Sequence, residues 1–404
     1  MAPPFSFQLK QMDILIYGEC FLPSVGGVET SLALLARGLA NHRAKENGSE
    51  ASRGHVTVVT RTLAGEMDDS SLPYRVVRRP GFLHLARLIW RADVVHIAGP
   101  CFLPLVLTWL MRKPAIVEHH GYQAVCLNGL LLEEPSHTVC PGHFLQGNYR
   151  ECLRCSSQTM GRMGGIRSLL LSFPRYWLCK GVAANVTITD HVAFRLKLPR
   201  SRTIYYGIEA PQQMIHIEGH ERSSALQVAY VGRLVAEKGL PVLLEAAKSV
   251  KDKGGEFRLT FIGDGPERSR LEELAKDRGL GDRVAFTGDL RGADLERSAS
   301  EMDVVVMPSV WEETAGLAAI EQMMRGRSVV ASDIGGLSEV VGDAGWKFPA
   351  GDADALGRRL LEIIEHPQEA VLMGRRAREY ALRHFAVDRM IEEHLSLYSQ
   401  ISGS

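Results

Sequence analysis

Short apolar runs rich in valine and isoleucine alternate with stretches of helical period, and the alternation restarts near the middle of the chain. That pattern suits parallel strands joined by crossover helices, so the class is α/β with strands buried on both faces. In the first half, strands are predicted at residues 13–18, 55–60, 93–98, 115–119 and 185–188. In the second half they are predicted at 227–231, 258–262, 284–287, 303–307 and 328–331. Two sheets imply two Rossmann-like, doubly wound domains, and 404 residues exceed what one core usually supports. The polar stretch from Gly207 to Ser224, with Pro211 and no clear period, is the predicted linker. The domains are therefore placed at 1–206 and 207–385, with residues 386–404 a C-terminal helix that packs back on the first domain and residues 121–160 a cysteine-bearing loop.

Charge excludes some partners. The 47 Lys and Arg balance the 47 Asp and Glu, so no global field favours nucleic acid or an anionic membrane surface, and any basic function must be local. Met1 to Gln11 lacks the continuous apolar core of a signal peptide, which leads us to expect a cytoplasmic protein, with peripheral contact to the inner face of the membrane left open. The longest apolar stretch, Ile97 to Met111, is shorter than the ~18 residues of a membrane span and contains Gly99, Pro100 and Pro104.

Ligands of open α/β sheets gather at the carboxyl ends of the strands, so the loops there carry the chemistry. After the first predicted strand, Gly26 and Gly27 precede a helix whose N-terminus offers N–H groups to a phosphate; a plain turn between strand and helix explains them as well. The third glycine of a dinucleotide fingerprint is missing. In VAYVGRLVAEKG, Arg233 lies just past a strand and Lys238 at the head of the next helix, suited to a diphosphate or else ordinary charged loop residues. In PSVWEETAGLAAIEQMM, Glu313 and Glu321 stand eight positions apart. On one helix they would be ~12 Å apart in rise, too far for a glycosidase carboxylate pair but suited to the two ends of an elongated ligand. Glu321 falls among residues expected to be buried, where a carboxylate needs partners.

Taken in order, GGVE, GRLVAEKG, FIGDGPE, VAFTGDL, the Glu313/Glu321 pair and SDIGGLSE resemble glycosyltransferase family 4. The resemblance implies a GT-B fold, two Rossmann-like domains facing a central cleft, and retaining transfer of a hexose-type sugar from a nucleotide-diphosphate sugar to a glycan or lipid-linked acceptor. It implies that Arg233 and Lys238 hold the diphosphate, Glu321 the ribose, and Glu313 the sugar hydroxyls. The backbone at Gly316 and Leu317 would meet the distal phosphate, residues near Val284 the base, and Gly27 the diphosphate. The family's histidine beside the transferred sugar matches His120 in VEHHGY, with His119 completing the strand. Two departures bear on sugar specificity: Thr314 and Ala315 in ETAGL, and Gln322 after the second Glu. Within the same fold, an epimerase, a phosphorylase or a non-catalytic nucleotide-sugar binder are the rival activities.

The D-x-D of Asp352 and Asp354 reads as a helix N-cap rather than a metal site, and no catalytic metal is expected. Cys126, Cys140, Cys152 and Cys155, the last two as C-x-x-C, either supply a structural zinc site or remain reduced thiols. The segment GRMGGIRSLLLSFPRYWLCKG sets Arg162, Arg167, Arg175 and Lys180 among Phe173, Tyr176 and Trp177. It fits a core helix with charged flanks or a helix seated at a membrane interface.

Overall fold

A computed structural model of the chain describes residues 12–24, 26–47, 55–211, 225–290 and 292–402, so that residues 1–11 and most of the predicted linker, 212–224, lie outside the described residues. The chain divides into two compact units.

The first unit comprises Met1–Leu130, Gly142–Gly207 and Val387–Ser404. Its strands are β1 (Ile14–Gly18), β2 (Val56–Thr60), β3 (Arg75–Arg78), β4 (Val94–Ala98) and β5 (Ala115–His119); a hairpin of β6 (Leu132–Glu133) and β7 (Thr138–Val139) belongs to the other unit, and β8 (Ala184–Thr187) and β9 (Ser201–Thr203) complete the sheet. All seven sheet strands are parallel in the order β3-β2-β1-β4-β5-β8-β9. Every residue of β1, β2, β4 and β5 is buried, as strands covered on both faces require. The covering helices are α1 (Gly27–Asn47), α2 (Phe82–Arg91), α3 (Phe102–Leu110), α4 (Tyr149–Gly181) and α5 (Asp190–Leu196). Helix α4 breaks at Gly161, whose φ is 70°. It begins early enough that Cys152 and Cys155 are helical rather than in a loop.

The second unit comprises Leu131–Pro141 and Ile208–Ala386. Strands β10 (Leu226–Val231), β11 (Phe257–Ile262), β12 (Val284–Gly288), β13 (Val304–Met307), β14 (Ser328–Ser332) and β15 (Trp346–Phe348) form a parallel sheet in the order β12-β11-β10-β13-β14-β15. Its helices are α6 (Leu240–Asp252), α7 (Arg268–Asp277), α8 (Gly292–Ser300), α9 (Leu317–Met324), α10 (Gly335–Val341), α11 (Ala353–Glu365) and α12 (Pro367–His384). Asp352 caps α11 by accepting the Ala355 N–H at 2.8 Å, the role expected of it. The last helix, α13 (Val387–Ser402), returns to the first unit, where Met390, Ile391, Leu395 and Tyr398 join the core formed with α1.

All ten predicted strands are present within two residues of their expected bounds. Five strands were not predicted: β6 and β7, two residues each, and β3, β9 and β15, short edge strands of the two large sheets, where Arg75, Arg78, Ser201 and Arg202 give β3 and β9 no apolar run to read.

Candidate active site

Both sheets reverse their strand order beside the first strand of the unit, at β1/β4 and at β10/β13, and a crevice opens at the carboxyl ends of such a pair. In the second unit, β10 runs into Gly232 and Arg233, and β13 runs into the loop that carries Ser309 and Glu313. Tyr230, the penultimate residue of β10, donates from its hydroxyl to the Arg233 carbonyl at 2.8 Å. Burial holds that phenol well above its ordinary pKa, with Glu313 adding to the shift, so it stays a donor. The Arg233 side chain is exposed.

Lys238 ends a 3₁₀ turn, Ala236–Lys238, and Gly239 follows with φ 64°. A Cβ on Gly239 would stand 2.1 Å from the Pro308 carbonyl oxygen, so only glycine lets the turn lie against the loop after β13. The Val310 N–H donates to the Glu237 carbonyl at 3.1 Å and joins the two loops. The result is an ion pair: Lys238 Nζ lies 2.8 Å from Glu313 Oε1, and Ser309 Oγ donates to the same oxygen. Glu313 is 4% exposed, and a carboxylate so buried requires such partners. Its carbonyl also accepts the Gly336 N–H at 2.7 Å, which fixes the loop from the α10 side.

Glu313 precedes α9 while Glu321 lies in its second turn, so the pair does not share one helix. Gly316, at φ 66°, is the N-cap with no side-chain cap, and Leu317 is the first helical residue; the helix start is thus made of backbone N–H groups. Burial raises the pKa of Glu321, Arg325 pulls it down and Glu296 pushes it further up. The Gln322 side chain is fully buried, and neither its amide nitrogen nor its oxygen has a hydrogen-bond partner. Val284 begins β12 and so occupies the amino end of that strand, whereas Thr287 and Gly288 reach the carboxyl edge, roughly 13 Å further along. Lys238, Glu313 and Ser309 are thus in contact, and Val284 is not on their edge of the sheet.

In the first unit, Gly27 opens α1 and is exposed. His119 ends β5 and is buried, with Nε2 2.9 Å from Asn185 Oδ1. His120 follows the strand and stacks on Tyr206, the rings 5.7 Å apart and 4° from parallel, with Nδ1 2.7 Å from the Tyr206 hydroxyl. His120 Nε2 makes no hydrogen bond and lies 3.7 Å from Glu118 Oε2. Burial keeps Tyr206 protonated, and burial also lowers the His120 pKa, against the attraction of Glu118. A neutral imidazole that accepts from Tyr206 at Nδ1 carries its proton on Nε2.

Glu118, absent from the sequence reading, is the hub of this region. It accepts from His96 Nε2 at 2.9 Å, His96 Nδ1 meets the Tyr398 hydroxyl at 2.8 Å, and His394 Nε2 stands 3.9 Å from Glu118 Oε1. Burial opposes the charge, yet His120, His96 and His394 together hold the Glu118 carboxyl below its ordinary range. The only sequence sign was a glutamate beside His119 at the end of a strand that opens with three apolar residues. Among the cysteines, Asn128 accepts from Cys126 Sγ at 2.9 Å and donates to Cys155 Sγ at 3.6 Å.

Residues 213–380 match the family described as glycosyl transferases group 1. The chain is 32% identical over 276 residues to the 2-deoxystreptamine glucosyltransferase of Streptomyces kanamyceticus, covering 63% of this chain and 71% of that protein. It is 37% identical over 369 residues to the 2-deoxystreptamine N-acetyl-D-glucosaminyltransferase of Streptomyces fradiae, covering 83% and 82%. Among solved structures, HepE of Anabaena in complex with UDP and glucose aligns over 96% of this chain and 100% of its own, with TM-score 0.66 and 17% identity. Sucrose-phosphate synthase of Thermosynechococcus elongatus aligns over 97% and 99%, with TM-score 0.68 and 21% identity. Those identities speak for fold alone, and the fold is the expected GT-B class. Sequence relatives at 32% and 37% identity settle the family: this chain is a group 1 glycosyltransferase.

Proposed function

We propose that the chain is a retaining enzyme of glycosyltransferase family 4 that moves a hexose-type sugar from a nucleotide-diphosphate sugar to a glycan or lipid-linked acceptor. The observation that carries this reading is the Lys238–Glu313 pair, braced by Ser309 beside the β10/β13 reversal, with the Arg233 side chain exposed next to it. Arg233 and Lys238 would neutralise the diphosphate as it leaves, and the N–H groups at Gly316 and Leu317 would bind its distal phosphate. Glu313 would accept from sugar hydroxyls, and Glu321 from the ribose. His120 would donate from Nε2, a buried polar atom that a sugar hydroxyl would satisfy. Attack would come from the face of the departing diphosphate, which takes the acceptor's proton, so that no metal is needed. The UDP and glucose bound to HepE make UDP-glucose the first donor to test.

The test is calorimetry with nucleoside diphosphates on the wild type and on Arg233→Ala. Removal of one charged hydrogen bond should weaken binding by roughly 1.5–3 kcal/mol; unchanged affinity would remove Arg233 from the site. A structural zinc on Cys126, Cys140, Cys152 and Cys155 would require Cys126 to lose the thiol proton it donates to Asn128, and about one equivalent per purified chain by elemental analysis would establish it.

A further inference from the structure

Helix α4 carries its large apolar residues on the wrong side for a core helix. Met163, Ile166, Leu170, Phe173 and Trp177 follow one another at spacings of three and four, the period of one helix face, and all are exposed, Met163 to 79% and Trp177 to 57%. The reading of this segment as a core helix with charged flanks is therefore corrected: the charged flanks are there, but the apolar stripe faces out. The stripe continues onto α3, where Trp109, 53% exposed, meets Trp177 edge to face at 5.5 Å, and Leu110 is exposed beside it. It extends to α2 through Trp90, 63% exposed, over whose ring Lys113 Nζ sits at 5.5 Å. Three of the chain's five tryptophans are on this surface.

Its charge is one-signed. Residues 82–113 hold four Arg or Lys against Asp93, and α4 holds six against Glu151, excesses of three and five in a chain whose net charge is zero. Arg87, Arg91, Arg112, Arg162, Arg167 and Lys180 are exposed with the apolar stripe. Next to the Trp109–Trp177 contact, a groove of about 650 Å³ has Leu105 and Leu178 in its wall with Arg112 and Lys113. Aromatic rings, aliphatic side chains and long basic residues interleaved on one face are what the boundary of an anionic bilayer accommodates: rings at headgroup depth, apolar tips below, cations at the phosphates. A second copy of the chain fits poorly, since a two-fold contact would set this positive face against itself.

We propose that the α2–α3–α4 face docks the first unit on a membrane surface rich in anionic phospholipid. The assignment is independent of the transfer reading, because its test measures partition and not catalysis. The full chain is mixed at low salt with vesicles of phosphatidylcholine alone and of equimolar phosphatidylcholine and phosphatidylglycerol, and is followed by flotation and tryptophan emission. The proposal expects flotation with the anionic vesicles, a blue shift of the emission, and release as salt screens the attraction. Arg162→Glu/Arg167→Glu should weaken partition roughly tenfold or more, and Trp109→Ala/Trp177→Ala should abolish the blue shift, each with unchanged melting. If the tryptophan variant fails to fold, the charge variant alone decides. Equal behaviour with both vesicles, partition untouched by the charge reversal, or a wild-type dimer in light scattering that the tryptophan variant dissolves would overturn it.

Discussion

Lys238 Nζ and Glu313 Oε1 are 2.8 Å apart, although their residues are separated by three strands and three helices of sequence and are brought together only by the loops after β10 and β13. The pair stabilises the site and also sets its electrostatics. Lys238→Ala leaves a buried carboxylate with Ser309 as its remaining side-chain donor, and should lower stability by about 3 kcal/mol. Lys238→Met with Glu313→Gln should recover much of that loss. Chemical denaturation of the two single variants and the double one measures the coupling, and additive losses would mean that the pair contributes nothing to folding.

The two glutamates should fail differently. Glu321→Ala should weaken nucleoside-diphosphate binding, because a ribose contact exists before and after transfer. Glu313→Ala should leave that affinity undiminished, since it frees Lys238 from its carboxylate, and its loss should fall on kcat. Calorimetry beside initial rates separates the two, and equal losses of affinity would place Glu313 elsewhere.

Burial raises the Glu321 pKa, so folding disfavours its ionised form. Its contribution is favourable below the ordinary carboxylate pKa and is lost as pH rises through the raised folded value. Glu321→Gln should therefore melt higher than wild type at neutral pH in the absence of ligand, and the gain should shrink as pH falls. A lower melting temperature at pH 7 would contradict this.

At Gly239, φ is 64° and the Pro308 carbonyl occupies the space of a Cβ. Gly239→Ala should cost about 1–3 kcal/mol and weaken diphosphate binding by displacing Lys238. Melting and calorimetry report both effects; an alanine variant with wild-type values in each would show that the loop can shift freely.

His119 and His394 are buried and neutral, their pKa lowered from 6.5 to about 4, chiefly by burial. The unfolded chain binds protons on them at higher pH than the folded one does, so stability falls as pH drops from about 6.5 towards 4, by up to ~1.4 kcal/mol per pH unit for each. His394→Gln should flatten that slope in pH-resolved denaturation. An unchanged slope would show that His394 titrates alike in both states.

The alternation of apolar runs made both sheets legible, because strands buried on two faces leave continuous valine and isoleucine in the sequence. Arg233 and Lys238 could be read because loops after parallel strands carry the ligand-facing residues. Ser309 could not: a serine before a tryptophan and two glutamates shows nothing until the loop folds its hydroxyl onto Glu313. Glu118 was hidden for a related reason, since the imidazoles that hold its charge come from β4, the residue after β5, and α13. The face of α4 was equally unreadable, because three-and-four spacing of apolar residues is the same whether the stripe points into a protein or out of it.

Helix α13 supplies Met390, Ile391, Leu395 and Tyr398 to the core built on α1 and β1. On the ribosome, residues 208–386 are made before that helix exists, so the second unit has its whole sequence while the first still lacks a piece of its interior. The first unit, though most of it precedes the second in sequence, is thus the later of the two to close. During that interval the seam on α1 is bare apolar surface, the kind of site to which a chaperone binds and from which it must be released when residue 387 and its successors emerge.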